Sequence, residues 1–171
     1  MTDPERAAVV LLVSAACVFD LRERRIPNAL TLGSAVAGLL FAFLVHGPIG
    51  LGMAVLGWVV GCALFAPFFV LGGTGAGDVK LLAALGAWVG PGLVCWVAIY
   101  AALAGGVLAL AVSARQGYLK QSFVNLLGLL AFWRAAGIRP MPGMTLHTAD
   151  SPRLPYAVPI AAGALAALWL R

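Results

Sequence analysis

Asp20, in Cys17-Val18-Phe19-Asp20-Leu21, and Asp78, in Gly75-Ala76-Gly77-Asp78-Val79-Lys80, are carboxylates set in or beside strongly apolar stretches. The other acids are Asp3 and Glu5 at the N-terminus, Glu23 among arginines, and Asp150 in a polar loop. A carboxylate at the edge of hydrocarbon is expensive unless it is paired, protonated or hydrated. Two such acids, sharing one proton, could hydrolyse a peptide bond in a water-poor place. The ionised one takes a proton from water, and the protonated one hydrogen-bonds to the carbonyl oxygen. That chemistry requires no metal or other cofactor. No alternative nucleophile stands out, since Ser14, Ser34, Ser113 and Ser122 lack a nearby His–acid partner in sequence. Cys17, Cys62 and Cys95 lie in separate apolar runs without a CxxC, so they read as packing residues. Spacing alone leaves a plainer alternative open, in which Asp20 pairs with Arg24, and Asp78 with Lys80 or an arginine.

The elements that carry these acids follow from composition. Of the 171 residues, 63% are hydrophobic and 10% charged, against about 25% charged in soluble domains. Too little polar surface remains to cover a soluble exterior, so the expected surroundings are a lipid bilayer. The net charge of +5 reads as topology information rather than as a nucleic-acid surface. The expected fold is all-α, a single polytopic domain over 1–171. Spans fall at about 5–21, 28–46, 50–71, 78–90, 92–113 and 154–170, six in all, the fourth shorter than the roughly 20 residues needed to cross and bounded by a Gly90-Pro91-Gly92 turn. Residues 119–133 read as an interfacial helix on the cytoplasmic side, and 139–155 as an irregular, proline-rich loop.

With the N-terminus outside, the inner loops hold Arg22, Arg24, Arg25, Lys80, Arg115, Lys120, Arg134, Arg139 and Arg153. The outer side then holds Arg6 and Arg171. This bias puts both acids at cytoplasmic helix ends and His46 on the opposite side. The segment Gly72-Gly73-Thr74-Gly75-Ala76-Gly77 is too glycine-rich for a stable helix. It permits positive φ and close approach of an extended substrate, and presents Asp78 at the start of the next helix, where the dipole favours an anion. Pro27-Asn28 reads as a chain break with Asn28 capping the second helix. Lys80 reads either as a group that orients Asp78 or as a snorkelling anchor. Trp58, Trp88, Trp96, Trp133 and Trp169 read as lipid-facing or interface anchors.

Three segments carry a resemblance. Gly75-Ala76-Gly77-Asp78-Val79-Lys80-Leu81-Leu82-Ala83-Ala84-Leu85-Gly86 resembles the GxGD segment of type IV prepilin peptidases. Asp20-Leu21-Arg22-Glu23-Arg24-Arg25-Ile26-Pro27-Asn28 resembles their other catalytic segment. Pro155-Tyr156-Ala157-Val158-Pro159 resembles the start of their last helix. The resemblance implies a GxGD aspartic endopeptidase with Asp20 and Asp78 as its catalytic pair. Gly75, Gly77, Lys80, Pro27 and Asn28 would support substrate or the pair. The implied substrate is a membrane-embedded prepilin whose basic leader is cut on the cytoplasmic side of the inner membrane. Larger members carry a cytoplasmic N-terminal insertion with paired CxxC zinc motifs, which this chain lacks, so their N-methyltransferase activity is not implied. The compact form resembles the leader peptidases of tight-adherence pilus systems. Two rivals from other classes are a small proton-coupled transporter, with the acids as a relay, and a non-catalytic pilus assembly protein. The sequence leaves the oligomeric state and the particular prepilin open.

Overall fold

The computed structural model describes residues 2–117, 119–137, 139 and 155–170. Among these, regular structure is entirely helical: α1 (Asp3–Glu23), α2 (Asn28–Val70), α3 (Ala76–Arg115), α4 (Leu119–Ala136) and α5 (Ala157–Leu170). Apart from Arg139 and Pro155, the loop expected over 139–155, with Arg153, lies outside the described residues.

α2 and α3 are each double. Gly47 (φ 67°, ψ −160°) and Gly90 (φ 77°, ψ 174°) leave helical geometry in mid-element. Both precede a proline, Pro48 and Pro91. Glycine accepts the left-handed φ, and proline suits the first turn of a new helix, so Gly-Pro reverses the chain and restarts it. The contacts on either side show the reversal. Lys80 and Trp88 of α3 meet Asn28 and Ser34 of α2, whereas Gly86 and Leu82 meet Gly57 and Gly61. Sequence order therefore rises together on the first limb of α2 and runs opposite on the second. Gly163 of α5 lies against Val97 and Ala101 of α3, and Gly105 against Pro159, so α5 runs antiparallel to the second limb of α3. The expected helical segments are thus present, joined by hairpins at Gly47 and Gly90.

The first limb of α3 is the centre of the bundle. Val79 and every residue from Leu81 to Ala87 are buried, the signature of a helix surrounded on all sides. Neighbours approach it through glycine. A β-carbon at Gly57 would overlap the carbonyl of Gly86, and one at Gly61 would lie 2.5 Å from the Leu82 carbonyl oxygen. Gly57-Trp58-Val59-Val60-Gly61 is a small-xxx-small face of the kind that lets backbones touch. Outward, by contrast, large apolar side chains stand uncovered, among them Leu11, Leu44, Ile49 and Val107.

Two tryptophans depart from the expected outward role. Trp88 packs between α2 and α3, where its indole N–H donates to the Ser34 carbonyl and hydroxyl, both at 3.0 Å. Its ring is in contact distance of Gly38, a position where a side chain would collide with it. Trp96 packs against the core beside Tyr100. Trp88 fills a space left by Gly38 on the facing helix, which a single-helix reading of tryptophan does not anticipate.

The bundle has two chemically distinct ends. At one, the buried Glu5 meets His46 (Oε1 to Nε2, 3.2 Å) beside the turn at Gly47. At the other lie Asp20, Asp78 and the start of α5.

Candidate functional site

Asp20 lies in the last turn of α1. The helix closes just beyond it, where Arg24 takes a left-handed conformation (φ 51°) and its N–H returns to the Asp20 carbonyl at 3.0 Å. The Asp20 side chain turns inward to a distant element. Its Oδ2 accepts the N–H of Ala157, the first residue of α5, at 3.0 Å. The Cys17 thiol, one turn earlier, donates to the Ala157 carbonyl at 3.4 Å. The first amides of a helix have no partner within it and carry partial positive charge. Asp20 thus caps α5 from another part of the chain.

Asp78 is held in a similar way by its own helix. It is the third residue of α3, and its Oδ2 accepts the N–H of Gly75, the N-cap, at 3.1 Å. This is one half of a capping box; glycine supplies no side chain for the other half. The preceding glycines differ from expectation in how they serve. Only Gly72 of the four uses positive φ (75°). Gly75 is extended (φ −81°, ψ 152°), and Gly77 is already in the helix. What matters at these two is the missing β-carbon. At Gly75 it would sit 3.2 Å from the Asp78 carboxylate, and at Gly77 it would be 3.4 Å from Ile26. The Thr74 hydroxyl is buried with no hydrogen-bond partner among the described residues.

The two acids come together. Both are buried, and the charge of Asp20 acts on Asp78 through space; that of Asp78 acts in turn on the phenol of Tyr156. One oxygen of each carboxylate is fixed by a backbone amide. Neither acid forms an ion pair among the described residues, so the plainer pairing with Arg24 and Lys80 is not adopted. Lys80 instead donates to Asn28 Oδ1 at 2.8 Å, at an exposed position. That contact also corrects the expected role of Asn28. Pro27 is the N-cap of α2, its carbonyl accepting the N–H groups of Leu30 and Thr31, while Asn28 begins the helix with its side chain turned to Lys80. Ile26 fits against Gly77, so the two segments meet at two further points besides the acids. Among the described residues, no three of His, Cys, Asp and Glu gather as a metal-binding group.

Sequence reasoning did not foresee Ala157 as the partner of Asp20, or Tyr156 beside Asp78. The Pro155-Tyr156-Ala157 segment was the available signal, since it opens the helix whose first amide Asp20 takes.

Residues 7–110 match the family model described as the type IV leader peptidase family. Over 114 residues, 60% of its length, the chain is 36% identical to an Escherichia coli protein named type 4 prepilin-like proteins leader peptide-processing enzyme, covering 42% of that relative. It is 42% identical over 93 residues to the prepilin leader peptidase/N-methyltransferase of Aeromonas hydrophila, covering 49% of this chain and 32% of the other. The like-named protein of Aeromonas salmonicida is 38% identical over 110 residues, 59% and 38% of the respective lengths. The chain spans well under half the length of these relatives. No solved structure matches it.

Proposed function

The chain belongs to the type IV leader peptidase family, and from that premise we propose that it is an aspartic endopeptidase cutting leader peptides from prepilins, with Asp20 and Asp78 as the catalytic pair. One observation carries the assignment: two buried carboxylates within electrostatic reach of each other, neither neutralised by a base among the described residues. Close like charges hold one proton between them. Water loses a proton to the ionised carboxylate and adds to the scissile carbonyl carbon, while the protonated carboxylate hydrogen-bonds to the carbonyl oxygen. The tetrahedral species then collapses, the C–N bond breaks, and the departing amine takes a proton from the pair. The backbone amides of Gly75 and Ala157 keep the carboxylates oriented while the proton moves. Gly75 and Gly77 leave room for the Asp78 carboxylate and Ile26 to close on the loop, and the Thr74 hydroxyl stands in the same loop.

In this reading the six helical segments cross the inner membrane. The uncovered apolar side chains meet lipid. The arginines and lysines around the acid end set that end in the cytoplasm, and the N-terminus outside. α4, which touches the rest of the described bundle only through α3, lies along the cytoplasmic interface with Phe123, Leu126 and Leu127 towards the acyl chains.

The test is co-expression with a candidate prepilin. Wild-type protein should remove the leader, and Asp20→Asn and Asp78→Asn should each leave it intact at equal membrane abundance. Cleavage by both single variants would overturn the proposal. A proton relay or an assembly factor would leave the leader uncut in every case.

A further inference from the structure

We propose that Tyr156 completes the site, its phenol hydroxyl donating a hydrogen bond to the carbonyl oxygen of the peptide bond that is cut. The inference rests on the peptidase reading above and adds a third chemical group to it.

Tyr156 is the turn residue immediately before α5, and its backbone is fixed. Its carbonyl accepts the N–H of Ile160 at 3.2 Å, and the Pro155 carbonyl accepts that of Val158 at 3.3 Å. The next amide, Ala157 N–H, is the one bound by Asp20 at 3.0 Å. One side of the tyrosine is therefore tied directly to the first acid. The ring lies over Gly105 of α3, its Cε1 4.0 Å from where a β-carbon there would stand. The phenol is close enough to Asp78 to feel its charge. The hydroxyl makes no hydrogen bond among the described residues, although both acids are engaged by amides. Among the described residues it is a half-buried donor beside the pair with no partner of its own.

The chemistry favours a neutral donor here. As water adds to the carbonyl carbon, its oxygen gains negative charge, and a fixed donor aimed at that charge lowers the barrier. A lysine in the same place would ion-pair with the carboxylates and disturb their shared proton. The nearby Lys80 is instead engaged with Asn28. A phenol, ordinarily ionising near pH 10, donates without surrendering its proton. Tyr156 forms no covalent bond and transfers no proton. The water proton passes to the carboxylate pair and then to the amine released when the C–N bond breaks.

The experiment uses the full chain in detergent with a prepilin substrate, comparing wild type with Tyr156→Phe. Phenylalanine keeps the ring over Gly105, so abundance and melting should be unchanged. Removing one such donor should lower kcat by about 10²-fold, with KM within about threefold. A second readout is the affinity of a peptide carrying a secondary alcohol in place of the scissile carbonyl. Tyr156→Phe should weaken it at least tenfold while leaving binding of uncut prepilin, measured in the Asp78→Asn background, unaltered. A Tyr156→Phe protein that cleaves at the wild-type rate would overturn the proposal. So would a rate loss accompanied by an equal loss of prepilin binding, which marks a packing role. If wild-type protein cuts no prepilin, the peptidase reading fails, and this inference with it.

Discussion

Replacing Gly86 by alanine probes how the fold holds the site. Gly86 faces Gly57 across the α2–α3 contact. An added β-carbon would overlap the Gly57 carbonyl oxygen, lying 2.6 Å from its carbon and 3.2 Å from the Trp58 nitrogen. Ordinary carbon contacts are about 3.5–4.0 Å, so the helices must part by about 1 Å. Every atom in the way is backbone, and no flexible side chain can swing aside. The cost therefore belongs at the upper end of the overpacking range, about 3 kcal/mol, or roughly two orders of magnitude in the folded ratio. Asp78 is eight residues down the same limb, about 12 Å away at the helical rise. A shift of this size at the reacting groups can lower turnover by about 10²-fold. Thermal unfolding of the purified protein in detergent, followed by tryptophan fluorescence, measures the first effect. Leader removal measures the second. Gly106→Ala is the control, since nothing lies within 4 Å of a β-carbon there. It should match wild type or gain up to about 1 kcal/mol from improved helix propensity. Wild-type melting of Gly86→Ala, or equal loss in Gly106→Ala, would refute the close-packing argument.

Three further outcomes follow from named contacts. Lys80→Met should reduce cleavage less than tenfold, because the ammonium binds Asn28 and not Asp78; Asn28→Ala should add little to it in a double-mutant cycle, whereas independent additive losses would contradict that pairing. Asp20→Ala leaves the Ala157 N–H buried and unpaired and should cost about 1–3 kcal/mol, while Asp20→Asn, which retains an acceptor oxygen, should melt nearer wild type yet remain inactive. Trp88→Phe loses an indole hydrogen bond inside the bundle and should cost about 1–2 kcal/mol; Ser34→Ala should cost less, since the Ser34 carbonyl still accepts.

Much of the architecture was legible in the chain because its causes are local. Runs of apolar residues long enough for a bilayer marked the helical segments. Gly47-Pro48 and Gly90-Pro91 fall at the boundaries between expected spans, and only glycine accepts the backbone that each reversal requires. Asp78 at the head of α3 could be read from the glycines before it and the apolar helix after it. Several local rules were overruled by long-range contacts. Asn28, a good cap by type, turned to Lys80 once α3 packed beside it. Trp88 went inward because Gly38 leaves space for its ring and Ser34 satisfies its N–H. Ala157 carries no side-chain signal at all; its part is played by a backbone amide.

The sequence by itself determined that two carboxylates stand at helix ends in an apolar chain, and its charge pattern assigned both to one end. The expense of a charge in hydrocarbon makes such positions conspicuous, and that expense depends only on the residue and its immediate surroundings. Tertiary structure alone decided what each acid touches. It brought Asp20 to the first amide of α5, set Ile26 against Gly77, and drew Lys80 away to Asn28. Those choices depend on distances between segments remote in sequence, which are set when glycine-lined helices pack backbone to backbone.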